Sequence, residues 1–358
     1  MPLVNLSQPS PPQNPPSRLK RIVSWVIAAL VVWALAKTTN NAMQRLAEQD
    51  TATCVQIETL LQKSVAEAGD VRQTTLDDIA KLERSRLKLS TIRWGAVVWG
   101  AGLYGIALLA AATYWWRILI AFGYHPTARQ AIAAHIIGHL GKYVPGKALV
   151  VIMRAAAISR EQVPFSVAAI AAVVETLTFM AVGAAMAGAA SLMLETPNWI
   201  RMLAIGLACC TITPTLPPLF RPLVNRLFTR RSQSIQLTEQ TYSWRIMLIG
   251  WVLMSAAWTL TGLSFWCIIG SLPGVGSEVW QWRDGLLATA AISLAIVAGF
   301  MSLLPGGAGV RELVLVTLLG PRFGLPPALA AAIVARLAYL VTELVAFAIC
   351  KFYLTKRG

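Results

Sequence analysis

Long apolar stretches alternate with short charged ones over most of the chain. No Asp, Glu, Lys or Arg interrupts Trp94–Trp116, Met202–Phe220, Ile246–Ser277 or Gly285–Val310, and Phe165–Leu194 carries only Glu175. Runs of this length can cross a hydrocarbon layer of about 30 Å as helices. Backbone amides in such a layer must be satisfied internally, by helices or by a closed barrel. Barrel strands alternate apolar and polar over about ten residues, and these runs do not. The pattern predicts an all-α, polytopic integral membrane helix bundle with no soluble catalytic domain.

The remaining sequence divides around these runs. Residues 1–17 are rich in Pro, Ser, Asn and Gln and read as a disordered tail. Residues 18–39 read as a first membrane helix, in which Arg18, Lys20 and Arg21 precede the uncharged Ile22–Ala36. That stretch is short, and Ala34-Leu35-Ala36 resembles a signal-peptidase site, so a cleaved signal peptide is the alternative. In the polar segment 40–93, Leu46, Ile57, Leu60, Leu61 and Val65 recur at helical spacing, Ala68-Gly69-Asp70 breaks the pattern, and Leu76, Ile79 and Leu82 resume it. An extramembrane helical hairpin is expected there. Residues 94–353 form the expected membrane bundle, with breaks at 139–147 and 303–312.

Composition agrees with this division. Residues of the AVILMFWYC set make up 56% of the chain and charged residues 13%, against about a quarter charged in soluble domains. The net charge of +15 does not indicate nucleic acid, because Arg and Lys sit mainly between the apolar runs, as the positive-inside rule expects. Arg221, Arg226, Arg230, Arg231 and Arg245 face one acid, Glu239, in a single loop. With Arg18/Lys20/Arg21 and Lys351/Lys356/Arg357, this predicts that both termini are cytoplasmic. The cysteines Cys54, Cys209, Cys210, Cys267 and Cys350 show neither disulfide nor zinc spacing.

The two breaks are the informative features. The first is His139-Leu-Gly-Lys-Tyr-Val-Pro-Gly-Lys147, followed by Arg154; the second is Leu303-Leu-Pro-Gly-Gly-Ala-Gly-Val-Arg-Glu312. Pro and Gly end a helix, and a new one can start just beyond. A second proline follows each break, Pro164 or Pro326, and opens an Ala-rich span with an ionisable residue about three turns in, Glu175 or Arg336. This suggests a degenerate repeat. With the ends inside, segments 128–158 and 285–320 would enter and return on opposite sides, the inverted-repeat pattern of transporters.

A helix N-terminus presents unpaired N–H groups and about half a positive charge, which suits a phosphate. The starts after Pro145-Gly146 and Pro305-Gly306 are therefore candidate anion sites, with Gly307 and Gly309 allowing a nest of amides. Lys142, Lys147, Arg154 and Arg311 would add full charges. Glu175, Glu312, Arg336 and Glu343 would balance charge or contact a headgroup amine, with Arg336 and Glu343 on one helix face at i,i+7. The alternative is that these charges pair with one another to hold the bundle together, and that Lys142 and Lys147 only anchor at the interface.

Other chemistry finds little support. His135 and His139 have the i,i+4 spacing of metal ligands on one helix, but Ile136 replaces the glutamate of the H-E-x-x-H motif. Polar helix packing or a headgroup contact suits them better, and no metal or cofactor is expected. Gly146-Lys147 lacks the preceding glycine of a P-loop. No Ser-His-Asp or Cys-His arrangement stands out.

Phe300-Met-Ser-Leu-Leu-Pro-Gly-Gly-Ala-Gly-Val-Arg-Glu312 resembles the signature of the lysylphosphatidylglycerol synthetase transmembrane-region family. The Ala-rich segment with Arg336 and the Pro145-Gly146 element with Arg154 extend the resemblance over about residues 20–350. At Glu175, where the family often shows Glu-Arg, this sequence has Glu175-Thr176. The resemblance implies about eight membrane segments with re-entrant helices, commonly in a bacterial inner membrane. It implies a flippase-like transporter for lipids with anionic or amino-bearing headgroups, or for a lipid-linked intermediate. The soluble aminoacyl-transfer domain of full-length synthetases is not recognised, so synthesis of lysyl-lipid is not expected. Two rivals remain: a non-transporting subunit scaffolding a lipid-modifying or glycosyl-transferring membrane enzyme, and an intramembrane transferase using Glu175 or Glu312 as base.

Overall fold

A computed structural model describes residues 51–66, 69–85, 91–143, 148–159, 163–194, 196–229, 237–273, 281–302 and 309–355, with positions 44, 48, 275 and 307. The expected tail 1–17, the first membrane helix 18–39 and its signal-peptide alternative, and Pro145, Gly146, Lys147, Pro305 and Gly306 lie outside the described residues.

Every regular element among the described residues is helical. The polar segment supplies α1 (51–66) and α2 (Asp70–Ser85), separated at Gly69, whose positive φ of 66° a residue with a side chain rarely adopts. There follow α3 (Trp94–Ala121), α4 (Ala128–His139), α5 (Ala148–Ile158), α6 (Phe165–Met193), α7 (Asn198–Ile212) and α8 (Pro217–Thr229). The chain closes with α9 (Trp244–Ile269), α10 (Trp282–Met301), α11 (Val310–Phe323) and α12 (Leu325–Thr355).

Five of these, α3, α6, α9, α10 and α12, are long and apolar enough to cross a membrane, and α7 with α8 would make a sixth. The run Met202–Phe220, expected to be one span, is instead bent by 64° between α7 and α8. Pro214 and Pro217 explain the correction, since each removes an amide donor from the helical ladder. The long helices are apolar all round, and their outer faces leave Val98, Leu248, Val252 and Val341 more than half exposed. A helix apolar on every side belongs in a hydrocarbon environment.

Small residues set the packing. Gly100 of α3 lies against Ser264 and Ile268 of α9, while Gly250 of α9 lies under the Tyr114 ring of α3, so the two helices run antiparallel in close contact. Gly262 and Gly285 likewise receive Thr289 and Trp266, which pairs α9 antiparallel with α10. Tyr104 of α3 stacks on Tyr339 of α12 with ring centroids 4.0 Å apart. Close helix approach at small residues is the usual solution where lipid removes the hydrophobic drive for helix association.

Two hairpins, α4–α5 and α10–α11, begin at opposite ends of this frame. Beyond the C-terminus of α3, Thr127 caps α4 reciprocally with Gln130, and α4 turns into α5 past a 3-10 turn at Leu140–Tyr143. At the other end, α10 leads to α11, and Arg322 at the end of α11 returns to Asp284 at the start of α10 with an Nε–Oδ1 distance of 2.9 Å. The helices expected after the breaks are thus α5 and α11. Pro164 directly precedes α6, and Pro326 lies in the first turn of α12.

Candidate functional site

The inner ends of the two hairpins meet charges from α6 and α12. On the first hairpin, Gly138 lets α4 and α5 touch through their backbones: a Cβ there would lie 2.9 Å from the Arg154 amide nitrogen and Cα. This contact fixes Arg154, whose Nη1 donates to Glu175 Oε2 at 2.6 Å. The guanidinium lies over the Trp115 ring at 5.4 Å, and His135 Nε2 approaches Glu175 Oε1 at 3.5 Å, an electrostatic contact rather than a full hydrogen bond. Arg154, Glu175 and His135 are all buried. Removing one partner of such a desolvated pair strands the other charge and costs about 3–5 kcal/mol.

A second carboxylate, Glu343 of α12, gathers the tip of the same hairpin. It accepts from the Lys142 ammonium and from the hydroxyls of Tyr104 and Tyr143, the last at 2.8 Å. His139 Nε2 lies 3.6 Å from it and 3.0 Å from the Lys142 nitrogen. The His135 and His139 rings stack at 5.9 Å with an interplanar angle of 20°, joining the Glu175 group to the Glu343 group.

The second hairpin contributes Glu312. Its Oε2 accepts from the Gly309 amide at 2.7 Å, and its Oε1 accepts from Arg336 Nη1 of α12 at 2.8 Å. Gly309 holds φ at 85°, so the chain enters α11 through a turn that favours glycine. Among the described residues the neighbouring Arg311 makes no ion pair, and its buried Nε has no hydrogen-bond partner. It interacts electrostatically with Arg336, Glu312, Lys142, Tyr143 and Tyr104. Its side chain lies across Gly299 and Gly307, where added Cβ atoms would come within 3.0 Å of Nε.

The structure therefore assembles Lys142, Arg154, Glu175, Gly307, Gly309, Arg311, Glu312, Arg336 and Glu343 into one inner cluster. Arg336 and Glu343, seven residues apart on α12, serve different hairpins. Lys142–Glu343, Arg154–Glu175 and Arg336–Glu312 form pairs, as the charge-pairing alternative requires, and Arg311 is left over. His135 and His139, expected in polar helix packing or at a headgroup, join the cluster, and Tyr104 and Tyr143 join it as residues that no motif marks. The i,i+4 histidine spacing was the available signal; nothing near Tyr104 or Tyr143 in sequence points to Glu343.

No curated relative matches the chain. The model of the family described as Lysylphosphatidylglycerol synthase TM region matches residues 80–346, from the end of α2 into α12. That match and the apolar helices make this a multi-pass membrane protein. The chain belongs to the lysylphosphatidylglycerol synthase transmembrane-region family.

Proposed function

We propose that the chain is a flippase-like transporter rather than an enzyme, moving a lipid with an anionic phosphate headgroup between leaflets. Arg311 carries this reading. In the inner cluster three cations have carboxylate partners, and Arg311 alone among the described residues does not. A membrane-embedded cation without a counter-ion is costly, and a headgroup phosphate would supply one. The three carboxylates are engaged by cations, which favours an anionic headgroup over an amine as first contact.

In this reading the hairpins are re-entrant units of an inverted repeat in the inner membrane, with both termini cytoplasmic. Their opposite entry into the bundle supports it, because such repeats expose one central site alternately to either side. Glu312, which accepts from Arg336 and from the Gly309 amide through its two oxygens, would hold the second tip in place beside an arriving headgroup.

The test is lipid movement in proteoliposomes with fluorescent phosphatidylglycerol and phosphatidylcholine. Wild type should move the anionic lipid faster, and Arg311→Ala should lose that movement while remaining folded. Equal movement by well-folded Arg311→Ala would remove the assignment. Absence of any movement by wild type would favour a scaffolding subunit, to be pursued through what co-purifies.

A further inference from the structure

A second feature lies on the outer wall of the bundle, between α3 and α9. Because these helices are antiparallel, Arg117 near the end of α3 and Arg245 at the start of α9 share one groove at the same end. The groove is open rather than enclosed, and its lining surface is almost wholly apolar. Below the two arginines its wall is apolar, formed by Leu248, Val252 and Leu253. Leu248 is 58% and Val252 70% exposed, so the groove opens outward from the bundle. Exposed Trp244 stands beside Arg245, as an aromatic at a membrane–water interface would.

Among the described residues no carboxylate lies within ion-pair distance of Arg117 or Arg245, and Glu239, in the loop before Arg245, pairs with Arg221 at 3.0 Å. Two like charges at one mouth repel unless a counter-ion sits between them. A soluble anion would leave the apolar wall unused, and an apolar ligand would leave both charges uncompensated. The chemistry that uses both is an anionic headgroup bearing an acyl chain.

We infer that the α3–α9 groove is a peripheral binding site for an anionic phospholipid of the surrounding membrane, with its phosphate held between Arg117 and Arg245 and one acyl chain along Leu248 and Val252. This site is separate from the inner cluster and does not depend on transport.

The experiment compares thermal unfolding of the delipidated full chain in detergent, with added dioleoylphosphatidylglycerol or dioleoylphosphatidylcholine. A ligand that binds only the folded state raises the unfolding midpoint. Phosphatidylglycerol should raise it more than phosphatidylcholine in wild type and in Arg311→Ala, and this headgroup-dependent shift should be clearly smaller in Arg117→Gln/Arg245→Gln, the remainder belonging to the inner cluster. If the double variant fails to fold, Arg245→Gln, at an exposed position, should retain one fewer phosphatidylglycerol than wild type in native mass spectrometry. Equal shifts with the two lipids in wild type, loss of the shift in Arg311→Ala, or an undiminished shift or retention in the groove variants would overturn the site. Transport is not measured, so failure here is distinct from failure of the flippase reading.

Discussion

The Arg311 side chain crosses Gly299 so closely that a Cβ on Gly299 would lie 2.7 Å from Arg311 Cγ. Gly299 is buried in the last turns of α10, where the bare backbone makes the floor on which the guanidinium rests. In a helix interior alanine is ordinarily preferred over glycine by about 0.5–1 kcal/mol. The glycine is thus locally unfavourable, and its use here is the space it leaves to Arg311.

Gly299→Ala should therefore displace Arg311. Movement of an anionic lipid is expected to fall about tenfold or more, corresponding to loss of about 1.4 kcal/mol of headgroup interaction. In an Arg311→Ala background the same change should have little further effect, since the two residues would act through one contact. Initial rates in proteoliposomes of the four variants of this cycle check both statements.

Lys142→Met should leave the Glu343 carboxylate buried with hydroxyl donors and the nearby His139 but without its ammonium partner, and lower stability by about 3–5 kcal/mol. Adding Glu343→Gln should restore most of the loss, because a neutral amide needs no counter-ion. Thermal unfolding in detergent distinguishes this from simple loss of side-chain packing, for which the second change would not help.

Gly138→Ala should drive α4 and α5 apart, since the new Cβ meets Arg154 backbone atoms at 2.9 Å. Overpacking of this kind costs about 1–3 kcal/mol. Gly102→Ala, with nothing within 4 Å of its added Cβ, should be neutral or slightly stabilising. Comparison of the two unfolding midpoints isolates the clash from glycine's intrinsic effect.

Asp284→Asn should weaken the neck of the second hairpin. Asp284 is 3% exposed and accepts from both Nε and Nη2 of Arg322. Arg322 is itself partly solvated, so the expected loss is about 1 kcal/mol. A disulfide-trapping experiment across the ends of α10 and α11 should report faster opening in the variant.

Much of this architecture was legible in the sequence because the bilayer demands it. Uncharged runs had to be helices, and Pro164 and Pro326 marked where α6 and α12 begin. The apolar run at 202–220 misled because hydropathy outweighed Pro214 and Pro217, whose missing amides bend it. Arg154, Glu175, Arg311 and Glu312 stood out as charges beside apolar sequence. Lys142, Arg336 and Glu343 were candidates too, but which charge meets which was not legible: Lys142 and Glu343 are separated by 201 positions, and no local pattern couples them. Tyr104 lies within an uncharged run, where an aromatic ordinarily only packs, and its hydroxyl acquires a role only once α12 lies beside α3.

Because Glu343 and Arg336 stand two turns apart on α12, that helix is anchored to both hairpin tips at once. Releasing either anchor leaves a partly or fully buried charge unpaired. In the proposed transport reading the helix would act as a balance beam: a replacement counter-charge at one arm would ease release there, and any coupling to the other arm would be reciprocal.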